Sequence, residues 1–277
     1  MKIAIIGLGL IGGSLALEFR ENHQIFGIDN NTEHQKQALE LGLVKEIISL
    51  EKVTIMDVVI IAVPVDVSPQ LTHKVLDLIN DKTLVFDVGS TKEVVCNAIK
   101  NHPKRKNFIA THPIAGTEFS GPEAAIKNLF KNKVTIICEQ DLSDREQLKK
   151  FNELINPLQM ELVYMNSSKQ HDKHIAYVSH LSHISSFMLG KTVLEIEKEE
   201  KNIFNMAGSG FASTVRLAKS SPKTWTPIFL ENKEHIIKSL DEYISNLQMF
   251  RTLLENDSKT EIHNIIKETN HIKEILK

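Results

Sequence analysis

KIAIIGLGLIGGSLAL, residues 2–17, joins a β-rich run to a helical pattern through the turn GLGLIGG, residues 7–13. The turn satisfies G-x-G-x-x-G directly between a predicted strand and a predicted helix, which is the context that makes this pattern informative. Gly7 allows a tight turn, Gly9 lets the backbone approach a pyrophosphate, and Gly12 permits close packing of helix on strand. The stretch therefore predicts a dinucleotide site, whose expected contacts here are Gly7, Gly9, Leu10, Ile11 and Gly12.

A carboxylate stands at the end of the next predicted strand. The run IFGID ends at Asp29, twenty residues after Gly9, where a carboxylate in this fold accepts hydrogen bonds from the hydroxyls of an adenosine ribose. The following residues, Asn30 and Asn31, offer no cation for a 2′-phosphate, so the sequence favours NAD over NADP. The alternative is an ordinary strand–helix turn in which Asp29 only caps a helix that starts near Thr32.

Strand-like runs alternate with helical patterns over residues 1–165, which predicts a mostly parallel sheet covered by helices on both faces. The predicted strands are KIAIIG, QIFGID, DVVIIAVP, TLVFDVGS, NFIATHP, KVTIICE and MELVYM. The predicted helices lie near residues 11–21, 32–42, 66–80, 91–100, 121–130 and 143–156. From about Asn166 a 3.6-residue period takes over, with two long amphipathic helices expected after Ile228. The sequence predicts an α/β Rossmann-like domain over residues 1–165 and an all-α dimerisation domain over residues 166–277.

Composition and charge exclude several classes of protein. The net charge is −2, and the charged residues of both signs are distributed along the whole 277-residue chain. The dense positive face of a nucleic-acid-binding protein is therefore not expected. No apolar stretch approaches the roughly 18–20 residues that span a bilayer. The two cysteines, Cys96 and Cys138, lie in apolar or strand-like runs, which suits a reducing compartment. We expect a cytoplasmic protein with no nucleic-acid or membrane partner.

Three predicted strands end at the carboxyl edge of the sheet, where this fold binds its dinucleotide. Val63 and Pro64, in the run AVP, are expected to contact the cofactor, although Pro64 also suits a plain strand terminator. His112, in THPIAG, is the acid–base candidate because an imidazole titrates near neutral pH, and Ser90, in DVGSTK, could orient it. A structural histidine in a turn is the alternative for His112. Lys92 is more typical of a surface position at a helix N-terminus.

Five segments occur in the order and at the separations of one enzyme family: GLGLIGGSLA, DVGSTK, HPIAGTEFSG, HDKHIAYVSHLSH and RLAKSSPKTW. Through them nearly the whole chain resembles the prephenate/arogenate dehydrogenases of tyrosine biosynthesis. The resemblance implies a Rossmann domain joined to a helical dimerisation domain, a homodimer, and NAD-dependent oxidative decarboxylation of prephenate to 4-hydroxyphenylpyruvate. It implies the monofunctional form, leaves arogenate open as the substrate, and makes tyrosine a candidate inhibitor.

The resemblance also implies roles for individual residues. His112 would accept the hydrogen bond of the substrate C4 hydroxyl, Ser90 would share it, and Arg216 would bind a substrate carboxylate. The other residues that it places near the substrate are Thr117, Glu118, His180, His183 and Trp225, with Asp172 nearby as an ion-pair or interface residue. Family members often have an acidic residue and a threonine where this chain has Ser213 and Val215, so the partner that orients Arg216 is not identified.

Four histidines on one predicted helix raise the question of a metal site. They are His171, His174, His180 and His183. Within each pair the spacing of three residues places both rings on one face. At about 100° per residue, the two pairs fall on roughly opposite faces of a continuous helix, so we expect no metal. Packing within the helical domain is the alternative role of His180, as it is of Trp225.

Two other functions share some of these features. A β-hydroxyacid dehydrogenase has the same two-domain architecture, but it requires a lysine in a Lys-x-x-x-Asn pattern, and here Lys169 is followed by Lys173. A regulatory protein that senses NAD without catalysis would keep the glycine turn. It would not need His112 and Arg216 assembled in the order of the enzyme family.

Overall fold

One eight-stranded sheet forms the first part of the protein, in a computed structural model that describes residues 1–117 and 119–275. Its strands are β1 (Lys2–Ile6), β2 (Gln24–Ile28), β3 (Glu46–Ile47), β4 (Val58–Ile61), β5 (Leu84–Asp87), β6 (Phe108–Pro113), β7 (Val134–Cys138) and β8 (Glu161–Met165). Their order is β3-β2-β1-β4-β5-β6-β7-β8. The first six strands are parallel, β7 is antiparallel to β6, and β8 is parallel to β7. The mostly parallel sheet is confirmed, whereas β3 is too short to give a periodic signal in the sequence.

Helices follow most of the strands and fill the chain after β8. The α-helices of the described residues are α1 (Leu10–Phe19), α2 (Thr32–Glu40), α3 (Ser68–Leu78), α4 (Glu93–Ile99), α5 (Arg145–Ile155), α6 (Ser168–Ile175), α7 (Leu181–Glu200), α8 (Ser209–Thr214), α9 (Pro222–Glu231), α10 (Lys233–Glu255), α11 (Lys259–Thr269) and α12 (Ile272–Ile275). A π-helical stretch, Ala176–His180, joins α6 to α7. The fold class, a Rossmann-like sheet followed by a helical part, is confirmed.

The segment 121–130 differs from the prediction of a helix. It holds only a short 3-10 turn, Pro122–Ala124. Gly121 and Asn128 have φ values of +88° and +64°, in the left-handed region that an α-helix does not contain. The segment instead packs against α1, where the Ile126 N–H donates to Ser14 Oγ at 3.0 Å. The prediction was wrong because this long-range contact, and not local periodicity, sets the backbone.

Alternate residues of the strands enter two separate hydrophobic cores, as expected for a parallel sheet with helices on both faces. On β1, Ile3 and Ile5 pack in the core that includes residues of α1 and α5. Ala4 and Ile6 pack in the other core, with residues of α3 and α4. All four side chains are at most 4 % exposed. Burial on both faces fixes the register of β1 and leaves its carboxyl end, with the glycine turn, at the sheet edge.

The helices after β8 carry many uncovered apolar side chains in the single chain. Exposed residues on α7, α10 and α11 include Met188, Leu189, Leu194, Ile196, Ile237, Ile244, Leu247, Leu254 and Ile266. A set of this size, in contrast to scattered single residues, is typical of an interaction surface. Among the described helices, none combines the length and the apolar character needed to cross a membrane.

Asp172 on α6 joins the helical part to the sheet edge. Its Oδ1 accepts from the Lys92 N–H and its Oδ2 from the Glu93 N–H, both at 2.8 Å, so it caps the N-terminus of α4. The Asn232 side chain donates to the Asp172 carbonyl at 2.8 Å. The Glu93 carboxylate lies 3.2 Å from His235 Nε2. Together these contacts hold α6 and α10 against α4.

A buried ion pair lies beneath this junction. The ammonium of Lys92 contacts the carboxylate of Asp87 at the end of β5 and also donates to the Thr111 carbonyl at 2.8 Å. Burial raises the pKa of Asp87, and the Lys92 charge opposes that rise. Lys92 is 0 % exposed. Its interpretation as a surface residue was therefore wrong, because the side chain turns into the sheet edge to pair with Asp87.

Replacing Lys92 by Met should lower the free energy of unfolding by about 3–5 kcal/mol, the usual cost of leaving a buried charge without its partner. Urea denaturation measures the change. Adding Asp87→Asn to Lys92→Met removes the orphaned charge and should recover part of the loss. A loss below about 1 kcal/mol in the single variant, which is the range of exposed pairs, would contradict this role of the pair.

Candidate active site

The turn after β1 has the geometry of a dinucleotide-binding loop. Gly7 has a φ of +95°, and a Cβ on it would lie 2.3 Å from the carbonyl oxygen of Ala62. A Cβ on Gly12 would lie 2.0 Å from the Gly7 carbonyl oxygen, so α1 can begin against the turn only without a side chain there. A Cβ on Gly9 would meet nothing within 4 Å. The space beside Gly9, at the N-terminus of α1, therefore fits the approach of a pyrophosphate.

The other residues predicted to contact the cofactor lie around this turn. Leu10 and Ile11 form the first turn of α1 and are half-buried. Val63 follows β4, and its backbone nitrogen would lie 3.1 Å from a Cβ on Gly7. Pro64, the next residue, is exposed. β1 and β4 are adjacent where the order of the strands reverses, which is the position at which this fold binds ligands.

Asp29 follows β2 and holds the glycine turn in place. Its Oδ2 accepts from the Leu8 N–H, and its Oδ1 accepts from the Asn31 N–H, both at 2.8 Å. The cap of α2 is Asn31, whose side chain accepts from the Glu33 N–H at 2.9 Å. Asp29 is therefore not simply a helix cap. His34, which the sequence did not single out, places its Nδ1 3.6 Å from Asp29 Oδ2.

His112 lies within β6, where it is opposite Ile136 of β7, in agreement with the predicted strand NFIATHP. β5 ends at Asp87, opposite Ala110, so β6 continues beyond its parallel neighbour. The antiparallel strand β7 provides the pairing for this extension. His112 is 8 % exposed and lies at the carboxyl edge of the parallel strands.

His171 on α6 contacts His112 directly. His112 Nδ1 and His171 Nε2 are 2.9 Å apart, and His171 Nδ1 is 2.7 Å from Asp172 Oδ1. His171 is 0 % exposed, whereas His174 is exposed. From the sequence, His171 was a candidate only for metal binding, and its contact with His112 was not predicted. No local pattern reveals it, because its partner lies 59 residues away in the chain.

The environment of His112 keeps its ring neutral. Burial lowers the pKa of His112 well below that of a free histidine, and the charge of the nearby Lys92 ammonium lowers it further. A neutral imidazole offers a lone pair to a hydroxyl group, but with a lowered pKa it holds the proton only weakly. The site is therefore suited to sharing a proton with a reacting hydroxyl.

His180, His183 and Trp225 form an aromatic cluster at the start of α7. His183 stacks on Trp225 with ring centroids 3.4 Å apart, and His180 meets the same ring edge-on at 6.0 Å. Burial lowers the pKa of His180 to about 4. Asn232 Nδ2 lies 3.1 Å from His180 Nδ1, so the proton of the neutral ring is on Nε2. That buried nitrogen has no hydrogen-bond partner among the described residues, which makes it a donor available to a polar ligand group.

Arg216 lies on a 3-10 turn, Arg216–Lys219, that packs against α7. Ser186 of α7 fixes this turn, because its hydroxyl accepts from the Ala218 N–H and donates to the Thr214 carbonyl, both at 3.0 Å. Arg216 is exposed in the single chain. Burial lowers the pKa of His183, and the Arg216 charge contributes to that shift. Through Ser186, the turn that carries Arg216 lies against α7, the helix that also carries His183.

The loops after β5 and β6 carry the remaining predicted substrate residues. Ser90 is half-buried between β5 and α4. Thr117 is exposed, and its hydroxyl accepts from the Phe119 N–H at 3.2 Å. Glu118 lies outside the described residues. Ser90 thus stands just before the helix that Asp172 caps, while Thr117 belongs to the loop that leaves the His112 strand.

One group of three possible metal ligands occurs within residues 1–117 and 119–275. His73, Asp77 and His102 place their ligand atoms within 4.8 Å of one another, and none of them belongs to α6 or α7. His102 Nδ1 accepts from the Lys104 N–H at 3.0 Å, so the proton of a neutral ring is on Nε2, 3.1 Å from Asp77 Oδ1. His73 Nδ1 lies 3.3 Å from Asp77 Oδ2, so each oxygen of this carboxylate contacts one histidine.

Two alanine substitutions separate folding from cofactor binding at the glycine turn. Gly12→Ala should lower the melting temperature and abolish NAD binding, since the new Cβ collides with the Gly7 carbonyl. Gly9→Ala should leave the melting temperature unchanged yet weaken NAD binding about 10-fold or more, because the Cβ occupies the approach of the pyrophosphate. Calorimetric titration with NAD and thermal unfolding measure the two effects. Wild-type NAD affinity in Gly9→Ala would place the cofactor elsewhere.

Comparison with known proteins gives matches over both parts of the chain. The family model described as the nucleotide-binding domain of prephenate dehydrogenase matches residues 15–164. The model described as the dimerization domain of prephenate dehydrogenase matches residues 167–268. The two matches together span most of the described sequence.

Individual relatives agree with these matches. The prephenate dehydrogenase of Bacillus subtilis (strain 168) is 33 % identical over 96 % of this chain and 73 % of its own length. The structure of prephenate dehydrogenase from A. aeolicus, in complex with hydroxyphenyl propionate and NAD+, has a TM-score of 0.91 at 30 % identity and covers 100 % of this chain and 98 % of that one. Synechocystis arogenate dehydrogenase has a TM-score of 0.80 at 28 % identity, with 99 % of each chain covered. The chain belongs to the prephenate dehydrogenase family.

Proposed function

We propose that this protein catalyses the NAD-dependent oxidative decarboxylation of prephenate to 4-hydroxyphenylpyruvate. The observation that carries the proposal is the neutral, buried imidazole of His112 at the carboxyl edge of the sheet, the edge that also holds the glycine turn. A cyclohexadienol substrate requires a hydrogen-bond acceptor for its ring hydroxyl beside a hydride acceptor. Membership of the prephenate dehydrogenase family supports that assignment of the substrate.

His112 suits a reaction that releases no net proton, since the prephenate dianion and NAD+ become the 4-hydroxyphenylpyruvate anion, CO2 and NADH. Bound NAD+ supplies the hydride acceptor. His112 accepts the hydrogen bond of the C4 hydroxyl while hydride leaves C4, and so stabilises the positive charge that develops on that carbon and oxygen. As the ring carboxylate leaves as CO2, its electron pair completes the aromatic ring. His112 then returns its share of the proton to the phenolic oxygen.

The residues around the glycine turn are proposed to hold NAD. The open space beside Gly9 admits the pyrophosphate, while Leu10, Ile11, Val63 and Pro64 line the neighbouring surface. Asp29, already fixed by two backbone N–H groups, has lone pairs left for the ribose hydroxyls and would repel a 2′-phosphate. We therefore propose that NAD is preferred over NADP.

The substrate is proposed to lie between His112 and the aromatic cluster. Arg216 pairs with a carboxylate, because its planar fork matches two carboxylate oxygens, and Ser90 shares the hydrogen bond of the ring hydroxyl. The Nε2–H of His180, which has no hydrogen-bond partner within the described part of the chain, supplies a further donor. The remaining residues proposed to line the substrate region are Thr117, Glu118, His183 and Trp225.

We also propose that the protein is a homodimer built through its helical part. Its support is the match to a dimerization domain over residues 167–268 and the exposed apolar side chains of α7, α10 and α11. Two buried free cysteines, Cys96 and Cys138, suit the cytoplasm as its location.

Arogenate is the second candidate substrate, favoured by the likeness to an arogenate dehydrogenase structure. The two substrates differ only in a keto or amino group on the side chain. A β-hydroxyacid dehydrogenase is disfavoured, because Lys169, the position at which a Lys-x-x-x-Asn pattern would begin, is exposed. A purely NAD-sensing protein gives no reason for a buried, neutral His112 at the carboxyl edge.

Steady-state rates with prephenate and arogenate, each with NAD and with NADP, test the proposal, and we expect prephenate with NAD to be the best pair.

His112→Asn should lower kcat about 10²-fold or more while NAD affinity is unchanged. Because protonation removes the acceptor and the pKa of His112 is lowered, wild-type kcat/KM should fall only well below pH 6.5. Near wild-type kcat in His112→Asn would remove this residue from the mechanism. Adding tyrosine to the same assay tests it as an inhibitor.

Arg216→Ala should raise the KM for prephenate roughly 10- to 100-fold, the equivalent of losing a charge-assisted hydrogen-bonded contact. The affinity for NAD and the melting temperature should be unchanged, since Arg216 is exposed in the single chain. Lys219→Ala, on the same 3-10 turn and also exposed, is the matched control. A lower melting temperature with an unmoved KM would make Arg216 a structural residue.

A further inference from the structure

We propose that His171 and Asp172 are positioning residues that hold His112 in the tautomer with its proton on Nδ1, so that Nε2 presents a lone pair to the substrate hydroxyl. The choice of substrate rests on the proposed function, whereas the tautomer is a property of the protein alone. The contact crosses the two parts of the chain, since His112 lies on β6 while His171 and Asp172 lie on α6.

The tautomer follows from the donors and acceptors along this row of contacts. An ionised Asp172 only accepts hydrogen bonds, so His171 Nδ1, 2.7 Å from Asp172 Oδ1, carries a proton. A neutral His171 then has its lone pair on Nε2. That atom is 2.9 Å from His112 Nδ1, so His112 donates from Nδ1. The lone pair of His112 is consequently on Nε2.

His171 shares its buried surroundings with a cation that is already paired. His171 and Lys92 are both 0 % exposed, and the Lys92 ammonium, paired with Asp87, already places a cation at this junction. A second buried cation next to His112 would add like-charge repulsion. Asp172 does not need a charged ring as its partner, because the backbone N–H groups of Lys92 and Glu93 already stabilise its carboxylate.

The same carboxylate ties this tautomer to the junction between the sheet and the helices. Asp172 caps α4, directly after the loop that carries Ser90. Asn232 also donates to the Asp172 carbonyl while contacting His180. His112 therefore acquires its orientation only when α6 is docked on α4. Without this contact an imidazole favours the opposite tautomer, with the proton on Nε2 and no lone pair for the substrate.

Two substitutions of His171 and one matched control isolate the contact. His171→Phe keeps the bulk of the ring but offers no acceptor to His112. His171→Gln places an amide oxygen near the former Nε2 position and so retains an acceptor. His174→Phe makes the same chemical change on the exposed side of α6. Melting temperatures of the three variants report any loss of packing.

Two readouts test the proposal on the intact protein. The ¹⁵N NMR shifts of the His112 ring, recorded without substrate, should show a protonated Nδ1 in the wild type, His171→Gln and His174→Phe, and a protonated Nε2 in His171→Phe. In the assay, kcat should fall about 10²-fold or more in His171→Phe, with the KM for prephenate and the NAD affinity unchanged. His171→Gln should recover at least about 10-fold of that loss.

Three results would overturn the proposal. The first is a protonated Nε2 of His112 in the wild type, and the second is an unchanged kcat in His171→Phe. The third is an equal loss of kcat in the Phe and Gln variants together with lower melting temperatures, which would make His171 a packing residue. Because the NMR measurement needs no substrate, inactivity toward prephenate would contradict the proposed function while leaving the tautomer to be read independently.

Discussion

The carboxylate of Asp172 is the group on which the geometry of the site depends. It is 1 % exposed, and a charge buried to this extent is stable only when its lone pairs are satisfied. Its three donors are the N–H groups of Lys92 and Glu93 and the ring of His171. Two of these donors lie at the start of α4, and the third, His171, also contacts His112. One buried charge thus couples the docking of the helices to the orientation of the imidazole.

Local sequence patterns predict those parts of the molecule in which the backbone conformation alone requires a particular residue type. Gly7, Gly12 and Asp29 are recognisable because a tight turn, a close helix start and a strand-end carboxylate each require one residue type at one spacing. The alternation of strands and helices predicts the sheet for the same reason. His112 follows from its place in a strand that reaches the carboxyl edge.

Local sequence patterns do not predict the roles of residues whose partners are distant in the chain. Lys92 follows a loop and precedes a helix, so its sequence context is typical of a surface residue, yet Asp87 and the Thr111 carbonyl draw it into the interior. The sequence does not distinguish His171 from His174 as the buried histidine of α6. Only the docking of this helix leaves His171 buried and His174 exposed. The segment 121–130 fails as a helix because its backbone bonds to Ser14 of α1. In each case a contact between elements overrides the local pattern.

The lowered pKa of His112 fits the proton balance of the proposed reaction. Hydride departure and loss of CO2 together release no net proton, so a strong base that kept the hydroxyl proton would have to give it back to the phenol in a separate step. A weak base accepts the hydrogen bond while positive charge develops, and it returns its share as the ring becomes aromatic. Burial and the Lys92 charge weaken His112 as a base, while its contact with His171 fixes which nitrogen faces outward. Burial is the main cause of this weak basicity, and the contact with His171 decides which of the two ring nitrogens is left to accept the hydrogen bond of the substrate.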